Sequence, residues 1–298
     1  MEAKFVISTD STCDLYADEI KELGVWVVPM TFTLEKDDVI TEHLDNFKTE
    51  QEYIDFYNKL REGYVAKTSI LGLQAHIDLF TAMAKAGVKH ALHICLSYGL
   101  SHILDNANKA IEIVKESYPT IDYLALECAT ATVGEGACVR YACKLRDEGK
   151  TNVEVYDAIN AMKHKIQHFI VVDNLMYLKR GGRISAASAT VGTLLQIKPI
   201  IQFTRKGSLE TAHKVFGVKK ALKDIVERYG TFHRFEPYDK CVIVHTDNLP
   251  AATELQKMMN AEYGFEPPIR WVGPVIGAHL GPGAVAMEFT SRDSRPIV

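Results

Sequence analysis

The chain has 298 residues, of which 47% are hydrophobic and 24% charged, and its formal net charge is -4. That length is more than one hydrophobic core usually serves, so two domains are expected. The slight acidity argues against nucleic acid as the main partner, because neutralising phosphates needs a basic face.

From the N-terminus, Lys4 to Thr9 is a short apolar run that predicts a strand; it ends in Asp10-Ser11-Thr12, and a helical pattern follows through Leu23. Val25 to Phe32 is β-branched and aromatic and predicts a second strand. Apolar residues at helical spacing predict helices over Tyr53 to Arg61 and Leu73 to Ala86, with Lys67, Thr68 and Ser69 in the loop before the latter. Ala91 to Leu96 reads as a buried strand followed by a helix to Tyr118, and Tyr123 to Leu126 as another, followed by a helix from Gly136 to Glu148. Strands alternating with helices of this length indicate an α/β unit with a mainly parallel sheet flanked by helices.

Asn152 to Lys165 is a polar-rich helical stretch suited to carry the chain between domains, and the expected division is 1–160 and 161–298. The second unit opens with an apolar strand to Asp173. A short Leu/Tyr turn and the basic loop Lys179-Arg180-Gly181-Gly182-Arg183 follow. Ala187 to Leu195 reads as a helix of small residues, and Lys198 to Ile201 as an edge strand restricted by Pro199. Lys206 to Leu209 is turn-like, Val218 to Tyr229 and Ala251 to Tyr263 are helical, and Lys240 to His245 is a strand. In the last unit, Trp271 to Phe289, four glycines and Pro282 surround His279 as a tight loop.

Ligands of open α/β sheets sit beyond the carboxyl ends of the strands. The loops there carry hydroxyls: Ser11 and Thr12, Ser97 and Ser101, Thr130 and Thr132, joined by Thr68 and Ser69. Helix capping explains many of them singly, yet converging helix starts also make a surface that favours anions. Arg183 adds a planar fork that matches carboxylate or phosphate oxygens, and His279 can donate to a ligand oxygen or simply pack.

Several chemistries find no support. The phosphate-binding P-loop, the dinucleotide fingerprint and the nucleophile elbow G-x-S-x-G are all missing. His90 and His93 lack partners at ligand spacing, so no metal is expected, and no cofactor. Six cysteines without C-x-x-C spacing read as free thiols. No apolar run approaches the roughly 18–20 residues of a membrane span, and the N-terminus lacks a signal-peptide pattern, so a cytoplasmic location is expected.

Seven segments in fixed order carry a resemblance. They are Thr9-Asp10-Ser11-Thr12 with Asp14-Leu15, Lys67-Thr68-Ser69, Ser97-x-x-Leu100-Ser101, Gly134-x-Gly136, Val172 to Leu175 with Leu178 to Ser185, Ile197 to Ile200, and Ile276-Gly277-x-His279-x-Gly281-Pro282-Gly283-Ala284. From about Phe5 to Phe289 the chain resembles the DegV family of bacterial fatty-acid-binding proteins. The resemblance implies two α/β domains with a long-chain fatty acid between them and no catalytic role of its own. It implies a carboxylate held by Thr68 and Ser101, with Arg183 and His279 close by and Ser69 and Ser97 as secondary contacts. It further implies a carrier that presents the acid to a fatty acid kinase. The departures surround that site: Ile70, Leu71 and Gly72 follow Thr68-Ser69 where relatives have Gln-Pro-Ser. His102, Ile103 and Leu104 follow Leu100-Ser101 where relatives have Gly-Thr-Tyr, and Glu127-Cys128 replaces a common Asp-Ser pair. Head-group geometry, chain-length preference or ligand class can differ accordingly. The alternative is an enzyme acting on a small anionic or phosphorylated substrate, with Arg183 and His279 in catalytic roles.

Overall fold

The computed structural model describes residues 5–184, 197–232 and 241–295. The first part of the chain builds two sheets. β1 (Val6–Asp10), β2 (Trp26–Val28), β6 (His90–Cys95) and β7 (Asp122–Glu127) form a wholly parallel sheet in the order β2-β1-β6-β7. β3 (Thr31–Lys36), β4 (Val39–Leu44) and β5 (Val65–Thr68) form an antiparallel sheet in the order β4-β3-β5. Helices cover both faces of the parallel sheet: α1 (Ala17–Leu23), α5 (Val133–Asp147) and α6 (Asn152–Met162) enclose Ile7, Leu92 and Ile94. α3 (Leu73–Lys85) and α4 (Ile103–Ser117) enclose Ala91 and Tyr123 on the other face, where α2 (Glu50–Arg61) joins the same core.

Two expectations change here. Val25 to Phe32 is not one strand: it ends at Val28 beside β1, and after Pro29 the chain crosses to β3 in the other sheet. Proline removes the ladder donor and holds φ, so the run breaks where it stands. Lys67 and Thr68 are likewise not in a loop but end β5, paired with Thr33 and Phe32.

The second part forms one six-stranded sheet. β8 (Ile166–Val171), α7 (Met176–Arg180), β9 (Ile197–Phe203), β10 (Leu209–Phe216), α8 (Val218–Phe232), β11 (Val242–His245), α9 (Leu249–Tyr263), β12 (Ile269–Trp271), α10 (Pro274–Leu280) and β13 (Val285–Thr290) follow in order. The strand order is β10-β9-β8-β13-β11-β12, and only β11 and β12 run parallel. The α/β class of the chain therefore stands, with strict parallel order confined to the first sheet. β9 is internal rather than an edge; β8 pairs with it only at Ile200 and Ile201, so Pro199 stands where β10 is the sole neighbour. The expected Leu/Tyr turn is α7, and His279 lies in the last turn of α10 rather than in a loop. Ser185 and the helix expected over Ala187 to Leu195 lie outside the described residues.

α8 and α9 cover one face of this sheet over Phe169, Ile243 and Met287. Residues alternate in and out along a strand, so Ile170, Val244 and Ala286 face the other way, where Val133 of α5 joins them. The short helices α7 and α10 pack on this second face through Leu178 and Leu280, the face also meets the first unit, and the candidate site lies in that meeting.

Candidate functional site

A cavity of about 830 Å³, its mouth included, opens between the two units. Its wall is chiefly aliphatic. Met30, Leu96 and Leu100 come from the first unit, and Ile170, Val244 and Ala286 from the second sheet.

Thr68, Ser69, Ser101, Arg183 and His279 also line it, and close contacts join four of them into one run. Thr68 Oγ1 lies 2.9 Å from His279 Nε2, which links β5 to α10. A Cβ on Gly181 would overlap the His279 ring, so glycine is what lets these segments meet. Arg183 donates from Nη1 to the Gly181 carbonyl and from Nε to the Leu100 carbonyl at 3.2 Å, beside Ser101. The Gly-Gly pair therefore first admits the histidine, and Gly182 supplies the left-handed φ of 71°.

Burial, then the nearby Arg183 charge, pushes His279 down to about 4, so its ring is neutral near pH 7. Nδ1 of that ring is buried without a partner among the described residues. An unpaired buried N–H is rarer than an unpaired acceptor, so the proton is assigned to Nε2, which donates to Thr68. The Thr68 hydroxyl then keeps its own proton for an oxygen in the cavity. Burial lowers Arg183 from its usual value, but a guanidinium remains a cation.

Several other hydroxyls of the sheet edge are engaged elsewhere. Ser97 is fully buried, donates to the Gly207 carbonyl at 2.8 Å and does not line the cavity. Thr9 donates to Glu135 at 2.9 Å, and Ser11 to Asp45 at 3.0 Å. Lys179 and Arg180 are exposed on α7. Among the departures, only Ile70 reaches the cavity, 48% exposed at its edge. Leu71 and Ile103 are core residues, and the exposed His102 ring packs on Tyr98 at 4.5 Å. Among the described residues no cluster of His, Cys, Asp or Glu could hold a metal ion, and no helix is long and apolar enough to cross a membrane. All six cysteines are buried free thiols.

Sequence reasoning did not reach Thr132 or His168 as cavity residues. The signal for His168 was the alternation His168, Ile170, Val172 along one strand; for Thr132 there was only its place among the strand-end hydroxyls.

Residues 4–292 match the family model described as an uncharacterised protein of the DegV family. A DegV domain-containing protein of Clostridium perfringens is 33% identical, over 98% of this chain and 99% of its own. The crystal structure of a fatty acid binding DegV family protein from Streptococcus agalactiae is 28% identical, with a TM-score of 0.80 over 97% of this chain and 99% of that one. A fatty-acid-binding DegV family protein from Thermus thermophilus is 25% identical, with a TM-score of 0.81 over 97% and 100% of the two chains.

Proposed function

The chain belongs to the DegV family, and we propose that it binds a long-chain fatty acid in the cavity between its two units. The observation that carries this reading is one aliphatic cavity whose wall holds a continuous run of hydroxyl, imidazole and guanidinium groups from Thr68 to Ser101. In this proposal Thr68 and Ser101 donate to the carboxylate, Ser69 is a secondary contact, and Arg183 and His279 offset its desolvation. Ser97 is left out, because its proton is already on Gly207. Removing methylenes from water contributes about 0.8 kcal/mol each, so a long acyl chain brings on the order of 10 kcal/mol before ordering costs.

The division we propose follows the packing: α6 stays on the first core to Met162, so the units part near residues 163–165 rather than at 160. The carrier role towards a fatty acid kinase, in the cytoplasm, also belongs to this proposal. The exposure of Ser69 and Ile70 at the cavity edge supports it, since a partner must reach the carboxylate. Nothing in the geometry favours the enzymatic alternative: a histidine held near 4 is a weak base at neutral pH, and two Arg183 donors are spent on carbonyls.

Native mass spectrometry of the purified chain is expected to find a co-purifying fatty acid. Combining Thr68→Val with Ser101→Ala is expected to weaken fatty-acid affinity by about 10- to 100-fold, the range for hydrogen bonds to a charged group, with the fold retained. Unchanged affinity would reject these hydroxyls as head-group contacts.

A further inference from the structure

The cavity has polar groups in two places, and the run from Thr68 to Ser101 accounts for one of them. The other is marked out along β8. His168 and Ile170 both line the cavity two residues apart on that strand, about 7 Å. The Gly181–Arg183 segment follows the opposite end of β8. At the His168 end stands Thr132, the residue before α5. A Cβ on Gly134 would come within 2.7 Å of Glu288 Oε2 and 2.8 Å of His168 Cε1, so the start of α5 is pressed against this end.

Thr132 has φ 56° and ψ -141°, a conformation that β-branched residues avoid. It is 8% exposed and lines the cavity, yet its hydroxyl caps no helix N–H and makes no hydrogen bond among the described residues. That hydroxyl is not among the fully enclosed unpaired atoms, so it keeps accessible surface, on a residue that lines the cavity. Its neighbours are committed: Thr130 Oγ1 bonds His168 Nε2, and His168 Nδ1 lies 3.1 Å from Glu288 Oε2. Thr132 therefore has hydrogen-bonding capacity left over at this end. It also heads a 15-residue helix, whose N-terminal end favours oxygen lone pairs. A chain made only of methylenes would remove the hydroxyl from water and return nothing for it.

We propose that Thr132 is a second polar subsite of this cavity and takes an oxygen carried on the acyl chain, so that the ligand class is a hydroxylated long-chain fatty acid. The inference rests on the fatty-acid reading above. His168, held between Thr130 and Glu288, walls the subsite without needing to bond the ligand.

The test uses the full, delipidated chain and displacement of a fluorescent fatty acid by octadecanoic acid and by its positional hydroxy isomers. One isomer is expected to bind about three- to tenfold tighter than octadecanoic acid, the range for one neutral hydrogen bond. Thr132→Ala is expected to erase that preference and leave octadecanoic acid within twofold, while Thr132→Ser keeps it. If no isomer beats octadecanoic acid, or the preference survives Thr132→Ala, the subsite is rejected and the fatty-acid reading stands. If none of the acids binds, both fall.

Discussion

Asp14 and Asp45, two carboxyl groups of the first unit, hold the start of α10, the helix that brings His279 to the cavity. Asp14 Oδ1 accepts from the Gly273 N–H at 3.0 Å, and Asp45, beside Gly273 and the Val275 N–H, accepts from Ser11 at 3.0 Å. A side chain on Gly273 would collide with Asp14, which explains glycine there. Burial raises Asp45 from 3.8 to about 7, and burial followed by Asp45 raises Asp14 well above the carboxylate range. A raised carboxyl pKa means that the folded state binds the proton more tightly. The stability from Asp45 is therefore fully present below about pH 4 and is lost as pH climbs through 7, on the order of 4 kcal/mol. His279 works the other way: its contribution is present above about 6.5 and is lost as pH falls to about 4. Asp45→Asn is expected to gain on the parent as pH rises from about 4 to 7. Urea midpoints across that window measure it, and parallel curves would refute the assignment. None of this was legible in the sequence, where Asp14 was a motif letter and Asp45 an unremarked acidic residue.

At the scale of elements, the hairpin between β9 and β10 shows what periodicity can and cannot deliver. Lys206 to Leu209 announces a turn, and Gly207 duly takes φ 76°. The sequence does not announce that this tip reaches the first unit, where Ser97 Oγ bonds its carbonyl and Gly99 meets its backbone. A Cβ on Gly99 would overlap backbone atoms of Gly207 and Ser208, which cannot swing aside like a side chain. Gly99→Ala is expected to cost about 1–3 kcal/mol by chemical denaturation, as overpacking does; a loss below about 0.5 kcal/mol would mean the two loops part freely. β4 escaped notice for a similar reason. Its hairpin turns at Asp37-Asp38 with φ 51° and 62°, without the Asn-Gly or Asp-Gly pair that advertises such turns. The strand itself exposes Val39 and Ile40, so it offers no inward apolar alternation to read.

At the scale of the molecule, the C-terminal segment straps the two units together. Arg295 is 2% exposed and donates to the carbonyls of Ala129, Thr204 and Lys163, one in each unit and one at the junction. Its backbone bonds His164, Ser291 bonds Lys165, and its guanidinium lies over the cavity residue Phe203. Arg295→Ala is expected to cost about 2–4 kcal/mol, since one buried and two part-buried carbonyls lose a charged donor, and to speed fatty-acid exchange by loosening the junction. Thermal unfolding with a stopped-flow displacement assay checks both; parental values in each would deny the strap its role. The sequence by itself determined the α/β class, the parallel first sheet, most helices and the residue types of the polar run in the cavity wall, because hydrophobic period, capping and glycine placement act over a few neighbours. Only the tertiary structure decided that Ser97 serves the interface, that Gly181 makes room for His279, that Thr132 lines the cavity and that Arg295 ties the units. Those assignments depend on which side chains from distant segments are brought within bonding distance, and that is settled by the packing of two units rather than by local pattern.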